Sequence, residues 1–381
     1  MRILLIGEYS NVHWTLAEGL RALGHEVSVV SNGDYWKDYR RDVSLVRRSY
    51  GRWDSLVYMA QVWKALRRMR DYDVVQIINP MFLEMKSERI RPIYEYLRKH
   101  NKRMFMGAYG MDYYWVNTCR TTQTFRYSDF NFGDRLRTDD IAMTEVRDWI
   151  GTDKGRLNQE IAADCDGIAA GLYEYYACYH PAFPDKTEFI PFPINTDTTV
   201  RTAPPVTDKV RFFIGVQKSR GVYKGTDVML RALERVADRH PDRCEIVKAE
   251  SVPFPVYQHM MDSSHALLDQ LYSYTPAMNG LLAMAKGLVL VGGGEPENYD
   301  ILGEKELRPI VNVLPDEADV YNKLEQMALH SDEIAKLSAD SRLYIERHHD
   351  YKKVAQRYVD FWTKNLSSTY KCNFLGADNK Q

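Results

Sequence analysis

The sequence has no CxxC pair, no apolar run approaching 18 residues, no GxGxxG fingerprint and no surplus of positive charge. Each absence removes a class of function. Five cysteines (Cys119, Cys165, Cys178, Cys244 and Cys372) are scattered and odd in number, which fits free thiols in a reducing compartment better than a disulfide framework or a zinc site. Lys and Arg number 51 against 52 Asp and Glu, a net charge of -1, so the chain lacks the cationic surplus that neutralises a nucleic-acid backbone. No nucleic-acid partner is expected. The opening run "MRILLIG" stops at Gly7 and Glu8, too short for a secretory segment, and the chain reads as a soluble cytoplasmic protein.

What is present is alternation. With 381 residues, 45% of them hydrophobic and 27% charged, the chain is globular and too long for one ordinary core, so two domains are expected. "RILLIG", the helical pattern "NVHWTLAEGLRALGHE" and "VSVVSNGD" form a βαβ opening, which calls for a parallel sheet. "DVVQII", "IRPIYEYLRKHN" and "RMFMGAYG" continue it. The pattern lapses from about 115 to 155, a polar and aromatic stretch that reads as an insertion at the C-terminal edge of the sheet. Prolines 191, 193, 204 and 205 mark a linker, and "KVRFFIGV", "CEIVKA", "ALLDQLY", "LVLVGGG" and "PIVNVLP" give a second series, closed by a helical pattern over roughly 332 to 364. The predicted fold is α/β, two doubly wound Rossmann-like domains facing across a cleft. The divisions are 1–192, 193–345, a helix at 346–364 that returns to the first domain, and a mobile tail at 365–381.

Strand-to-helix turns carry the candidate chemistry. "KSRGVYKGTD", residues 218 to 227, places Lys218, Arg220 and Lys224 with two glycines on one turn, and Gly225 lets the backbone approach a ligand just before a helix capped by Thr226 or Asp227. Such a turn suits an anion; the plainer alternative is a solvated basic loop. "AMNGLLAMAKG" opens a short helix at Asn279 and Gly280, with Leu281 following, and its first amides would face the same cleft unless Gly280 serves only close packing. In the first half, Gly7, Ser10 and His13 follow strand one, where doubly wound sheets bind ligands, though His13 would serve equally as a packed helix residue. Gly110 and Asp112 follow the fourth strand, and Asp112 also fits a helix cap. Asp269 and Gln270 sit at a strand end. No cluster of Asp, Glu or His at ligand spacing lies near either basic turn, so no metal and no other cofactor is expected.

Between Arg40 and Arg70 the chain carries Arg41, Arg47, Arg48, Arg52, Lys64, Arg67 and Arg68, with Trp53, Leu56, Val57, Ala60, Trp63 and Leu66 at helical spacing. The stripe reads as a core face with a solvated basic back; peripheral contact with an anionic membrane is the alternative.

The order of these motifs, from "MRILLIGEYSNVHWTLAEGLRALGHEVSVVS" through "FIPFPINTD", "KSRGVYKGTDVMLRAL" and "LLDQLYSYTPAMNGLLAMAKGLVLV" to "RLYIERHHDYKKVAQRYVDFW", resembles the GT-B glycosyltransferases, in particular the retaining family 4. The resemblance covers nearly the whole chain. It implies transfer of a sugar from a nucleoside-diphosphate sugar to a glycan or lipid-linked acceptor, in surface polysaccharide or glycoconjugate assembly, with the acceptor on the first domain and the donor on the second. It places Lys224, with Arg220 or Lys218, on the diphosphate, and brings Gly110 and Asp112 near the acceptor. The family pattern also implies two glutamates eight positions apart, where this chain has Tyr274 and Leu282. Leucine accepts no hydrogen bond and Tyr offers one where a carboxylate accepts several, so donor contacts there are altered. Glu295 and Glu297 could supply a carboxylate from another direction. That departure keeps a second reading open, a non-catalytic GT-B protein that binds a glycan or partner. A nucleotide-sugar epimerase is a third and lacks the carboxylate set its proton abstraction needs.

Overall fold

The computed structural model describes residues 1–216 and 221–375, so Lys218 and Arg220 lie outside the described residues, as does the tail from 376 on. Two parallel sheets carry the chain. The first has seven strands, β1 (Arg2–Ile6), β2 (Glu26–Ser31), β3 (Val43–Ser44), β4 (Val74–Ile77), β5 (Met104–Ala108), β8 (Gly167–Ala170) and β9 (Thr187–Phe189), in the order β3-β2-β1-β4-β5-β8-β9. Between β5 and β8 runs a small antiparallel hairpin, β6 (Asn131–Phe132) and β7 (Arg135–Leu136). The second sheet joins β10 (Val210–Val216), β11 (Cys244–Glu250), β12 (Ala266–Leu268), β13 (Val289–Gly292) and β14 (Val311–Asn312) in the order β11-β10-β12-β13-β14. β1, β4 and β5 are buried along nearly their whole length, as continuous apolar strands covered by helices on both faces must be. The doubly wound α/β fold read from the sequence is the fold observed.

The chain passes between the sheets twice. Residues 190–209 run outward, and Ile194 is bound to the returning strand of chain by its N–H to the His349 carbonyl and its carbonyl from the Tyr351 N–H. That pairing splits the helical pattern at 332–364 into two helices, Ile334–His348 and Tyr351–Leu375. The second lies on the first sheet: Phe361 and Trp362 pack on Phe105, and the helix presses so closely on α1 (Val12–Ala22) that a Cβ at Gly19 would stand 2.3 Å from the Tyr351 carbonyl oxygen. Its helical backbone continues to Leu375, past the boundary at 364.

α2 (Arg52–Leu66) reverses the sequence reading. It packs on the core through Tyr58, Val62 and Leu66, while Trp53 (82% exposed), Leu56 (59%), Val57 (53%) and Trp63 (45%) face outward. The helix is apolar on both sides, so spacing alone chose the wrong side as the core face. Among the described residues no helix is long and apolar enough to cross a membrane.

Candidate active site

The C-terminal ends of both sheets' strands face one another across a cavity of about 1550 Å3, the position where open α/β sheets bind ligands. Gly7, Glu8, Tyr9 and Ser10 line it after β1, Tyr109, Gly110 and Met111 after β5, and Tyr223, Lys224, Gln270, Ala277 and Met278 from the second sheet's side. Gly7 turns there with φ +88°, and a Cβ would come within 2.2 Å of Ile78 Cγ2, so only glycine fits.

The loop after β1 is organised by Glu8. Asn11 stands at the N-cap of α1 without a side-chain cap bond, and the buried Glu8 carboxyl group does the capping instead, its oxygens accepting from the N–H groups of His13 (3.3 Å) and Trp14 (2.9 Å). Burial outweighs these donors and pushes its carboxyl up to about 8. His13 lies beneath the loop, fully buried: its Nδ1–H donates to the Gly7 carbonyl at 2.9 Å, its Nε2 faces Gln76, and burial lowers it to about 3, so the imidazole is neutral. His13 is therefore a packing residue, absent from the cavity wall. Ser10 does line the wall, with φ 52°, its N–H on Asp34 (2.9 Å) and its hydroxyl accepting from Lys37 at 3.3 Å.

Gly110 lines the cavity, whereas Asp112 does not. Asp112 is fully buried as the N-cap of the helix Tyr113–Cys119, with one oxygen on the Trp115 N–H (2.9 Å) and the other accepting from the Tyr179 hydroxyl (2.7 Å); burial raises it to about 6. The capping alternative holds for this residue, since its hydrogen bonds point into the protein.

On the opposite wall Lys224 ends a single helical turn, Gly221–Lys224. It makes no side-chain hydrogen bond or ion pair with another described residue, yet its charge acts on two carboxylates, Asp129 and Asp269. The following helix, Thr226–Arg239, is capped by Gly225 at φ +72° rather than by Thr226 or Asp227. A Cβ at Gly225 would meet Leu271 Cβ at 2.6 Å, so the glycine is needed for both conformation and space. Asp227 instead pairs with Arg231. The helix Met278–Ala285 begins at the cavity with Ala277 as an N-cap that offers no side-chain acceptor. Asn279 bridges Tyr257 (3.2 Å) and Asp269 (3.5 Å), and Gly280 lies against Asp269, where a Cβ would be 3.0 Å from Oδ2. Leu281 is removed from the candidates: its side chain is in the core and its N–H is spent on the Ala277 carbonyl.

The stretch read as an insertion, 115–155, proves to be a clamp between the two halves. Arg126 donates its backbone N–H to the Tyr274 hydroxyl (2.7 Å), lays its guanidinium over the Tyr274 ring (4.8 Å), and reaches Glu295 (2.8 Å) and Glu297. Buried Glu295 also accepts from the Tyr127 hydroxyl (2.6 Å) and the Asn312 amide (3.0 Å). Arg137 donates to the Tyr223 carbonyl at 3.2 Å and stands over Tyr272 at 4.5 Å. Asp129 accepts from the Tyr223 hydroxyl at 2.8 Å, beside Lys224. Desolvation raises Asp129 to about 6 against the pull of Tyr223, Arg137 and Lys224. Tyr274 and Glu295 are thus buried under the clamp, off the cavity wall, because the insertion uses the hydroxyl of one and the carboxylate of the other. Sequence reasoning missed Glu8, Arg126 and Asp129, since a cap contributed from upstream of its helix and a contact between two domains leave no local spacing.

No family model matches this sequence, and no curated protein matches it. Solved structures do. A sucrose-phosphate synthase from Thermosynechococcus elongatus superimposes with a TM-score of 0.59 at 13% identity, covering 97% of this chain and 100% of that one. HepE from Anabaena, solved in complex with UDP-glucose, gives 0.59 at 11% identity, over 97% and 100%. A Listeria monocytogenes protein provisionally assigned as a UDP-N-acetylglucosamine 2-epimerase gives 0.57 at 9% identity, over 96% of each chain. Each superposition runs over nearly the whole of this chain with its two parallel sheets, and the chain has the GT-B fold of the glycosyltransferases.

Proposed function

We propose that the protein is a retaining glycosyltransferase of the family 4 type, moving a sugar from a nucleoside-diphosphate sugar to a glycan, free or carried on a lipid, at the cytoplasmic face of a membrane. The observation that carries the reading is Lys224, a cation without a committed partner among the described residues, on the cavity wall beside the helix start at Met278, whose N-cap Ala277 offers no side-chain acceptor. A leaving diphosphate gathers negative charge as the glycosidic bond breaks, and a fixed cation with helix amides stabilises that charge without a metal. The HepE neighbour in complex with UDP-glucose supports a nucleotide-sugar donor. Gly7, Ser10 and Gly110 form the acceptor side in this reading, and residues 40–70 are where such an enzyme would meet the membrane.

A second reading, a non-catalytic GT-B protein that binds a glycan or partner, is favoured by the burial of Tyr274, which leaves no sugar-contacting carboxylate at that position. A thermal-shift screen against nucleoside diphosphates and their sugars separates the two, because a ligand that binds only the folded state raises its midpoint. The enzyme reading expects one nucleoside diphosphate to shift the midpoint, transfer from its sugar to be detectable, and both to persist in EDTA. Absence of any shift, or activity restored only by added magnesium or manganese, counts against it.

A further inference from the structure

We infer that the outward face of α2 is a docking surface for an anionic lipid bilayer, which brings the cavity mouth to the membrane; this rests on the transferase reading only for its purpose, not for the contact itself. A soluble helix needs one apolar side, and α2 already satisfies its core with Tyr58, Val62 and Leu66. Trp53, Leu56, Val57 and Trp63 form a second apolar side, exposed to water, bounded by a tryptophan near either end. Large side chains grouped on one turn-to-turn stripe differ from the single exposed apolar residues that any surface carries.

Charge selects the occupant. Arg48 and Arg52 stand at one end of the stripe, and Lys64, Arg67 and Arg68 at the other, all exposed and none in an ion pair with another described residue. Asp54 is the one acid on the helix, in a chain whose net charge is -1. Cations flanking tryptophans on a helix lying flat match an anionic head-group layer, with the rings at the acyl boundary and the cations among the phosphates. A second copy of this chain would bring the same cations together and meet repulsion.

The face is continuous with the cavity. Arg52, Ser55 and Leu56 of α2 line its wall, and exposed Lys86 and Arg89 line it from the neighbouring segment. A bilayer against Trp53 and Trp63 would therefore lie beside an opening rimmed by cations, and an anionic lipid-linked acceptor could place its head group inside without leaving the membrane.

The test is flotation of the full chain with vesicles of phosphatidylcholine alone or mixed with phosphatidylglycerol, read together with tryptophan emission. The expected result is flotation with the mixed vesicles, a blue shift of emission, and loss of binding at high salt. Trp53→Ser combined with Trp63→Ser should weaken binding by about tenfold or more with the thermal midpoint unchanged, since both rings are exposed. Lys64→Gln, Arg67→Gln and Arg68→Gln together should erase the preference for phosphatidylglycerol. No flotation with mixed vesicles at low salt overturns the inference, as does undiminished flotation of the double tryptophan variant. So does self-association of the wild type that this variant abolishes. Nucleotide-induced thermal shifts are independent of vesicles, so failure of the docking and failure of the transferase reading are distinguishable.

Discussion

Asp129→Asn should tighten nucleoside-diphosphate binding. Asp129 comes from the first half of the chain, bonds the Tyr223 hydroxyl, and lies close enough to Lys224 for its carboxyl to feel that charge. Lys224 lies outside ion-pair reach of Asp129, so a diphosphate seated on its ammonium would sit roughly 6 to 7 Å from the carboxylate. At an effective dielectric of about 20 the repulsion is about 2.5 kcal/mol, and water and salt in an open cavity reduce it to about 1 to 2 kcal/mol. Removing the charge while keeping an acceptor for Tyr223 should lower Kd by roughly 5- to 30-fold. Because desolvation holds this carboxyl at about 6, the wild type should also bind more tightly as pH falls through 6, taking up a proton with the ligand. The nucleotide's own phosphate titrates in the same range, so the informative quantity is the difference between wild type and variant, measured by calorimetry at pH 5.5 and 7.5. The gap should narrow at the lower pH. Equal or weaker binding by the variant at pH 7.5 would refute the placement of the diphosphate beside Asp129.

Glu295→Ala should destabilise the protein by about 2 to 4 kcal/mol, since it strands the buried Tyr127 hydroxyl and the Asn312 amide, while the more exposed Arg126 resolvates; Glu295→Gln should cost less. Denaturant titration of both variants checks the order. Glu8, with its carboxyl raised to about 8, keeps its proton in the folded state while the unfolded chain has lost it, so its contribution falls as pH rises from about 4.5 to 8. Glu8→Gln should lack this loss, so wild-type stability should decline relative to the variant by as much as roughly 4 kcal/mol between pH 5 and 8. A constant difference would contradict it.

The parallel sheets were legible because buried strands such as "RILLI" and "VRFFIGV" leave continuous apolar runs between helical patterns. The break at His349 was not, since what interrupts that helical pattern is pairing with Ile194, distant in sequence. Lys224 and Gly225 were legible as a turn with special backbone needs. Asp112 carried a functional and a capping reading side by side and His13 a functional and a packing one, and burial with the hydrogen bonds decided for capping in the first and packing in the second. Tyr274 was recognisable as an anomaly, but its reason, the hydroxyl held by Arg126 from across the cleft, exists only in three dimensions. α2 shows the limit of periodicity: two apolar stripes on one helix have the same spacing, and only the fold says which faces inward.

The central claim is that a nucleoside diphosphate is held at Lys224, and calorimetric titration of wild type and Lys224→Ala with UDP and GDP tests it most directly. The side chain lies on an open turn, so folding should survive its loss. The account predicts that the wild type binds one of the two and that the variant binds it more weakly by roughly 1 to 3 kcal/mol, the range for a charge-assisted hydrogen bond in a partly desolvated site. Unchanged affinity in a folded Lys224→Ala protein would contradict it and remove this turn from the donor site.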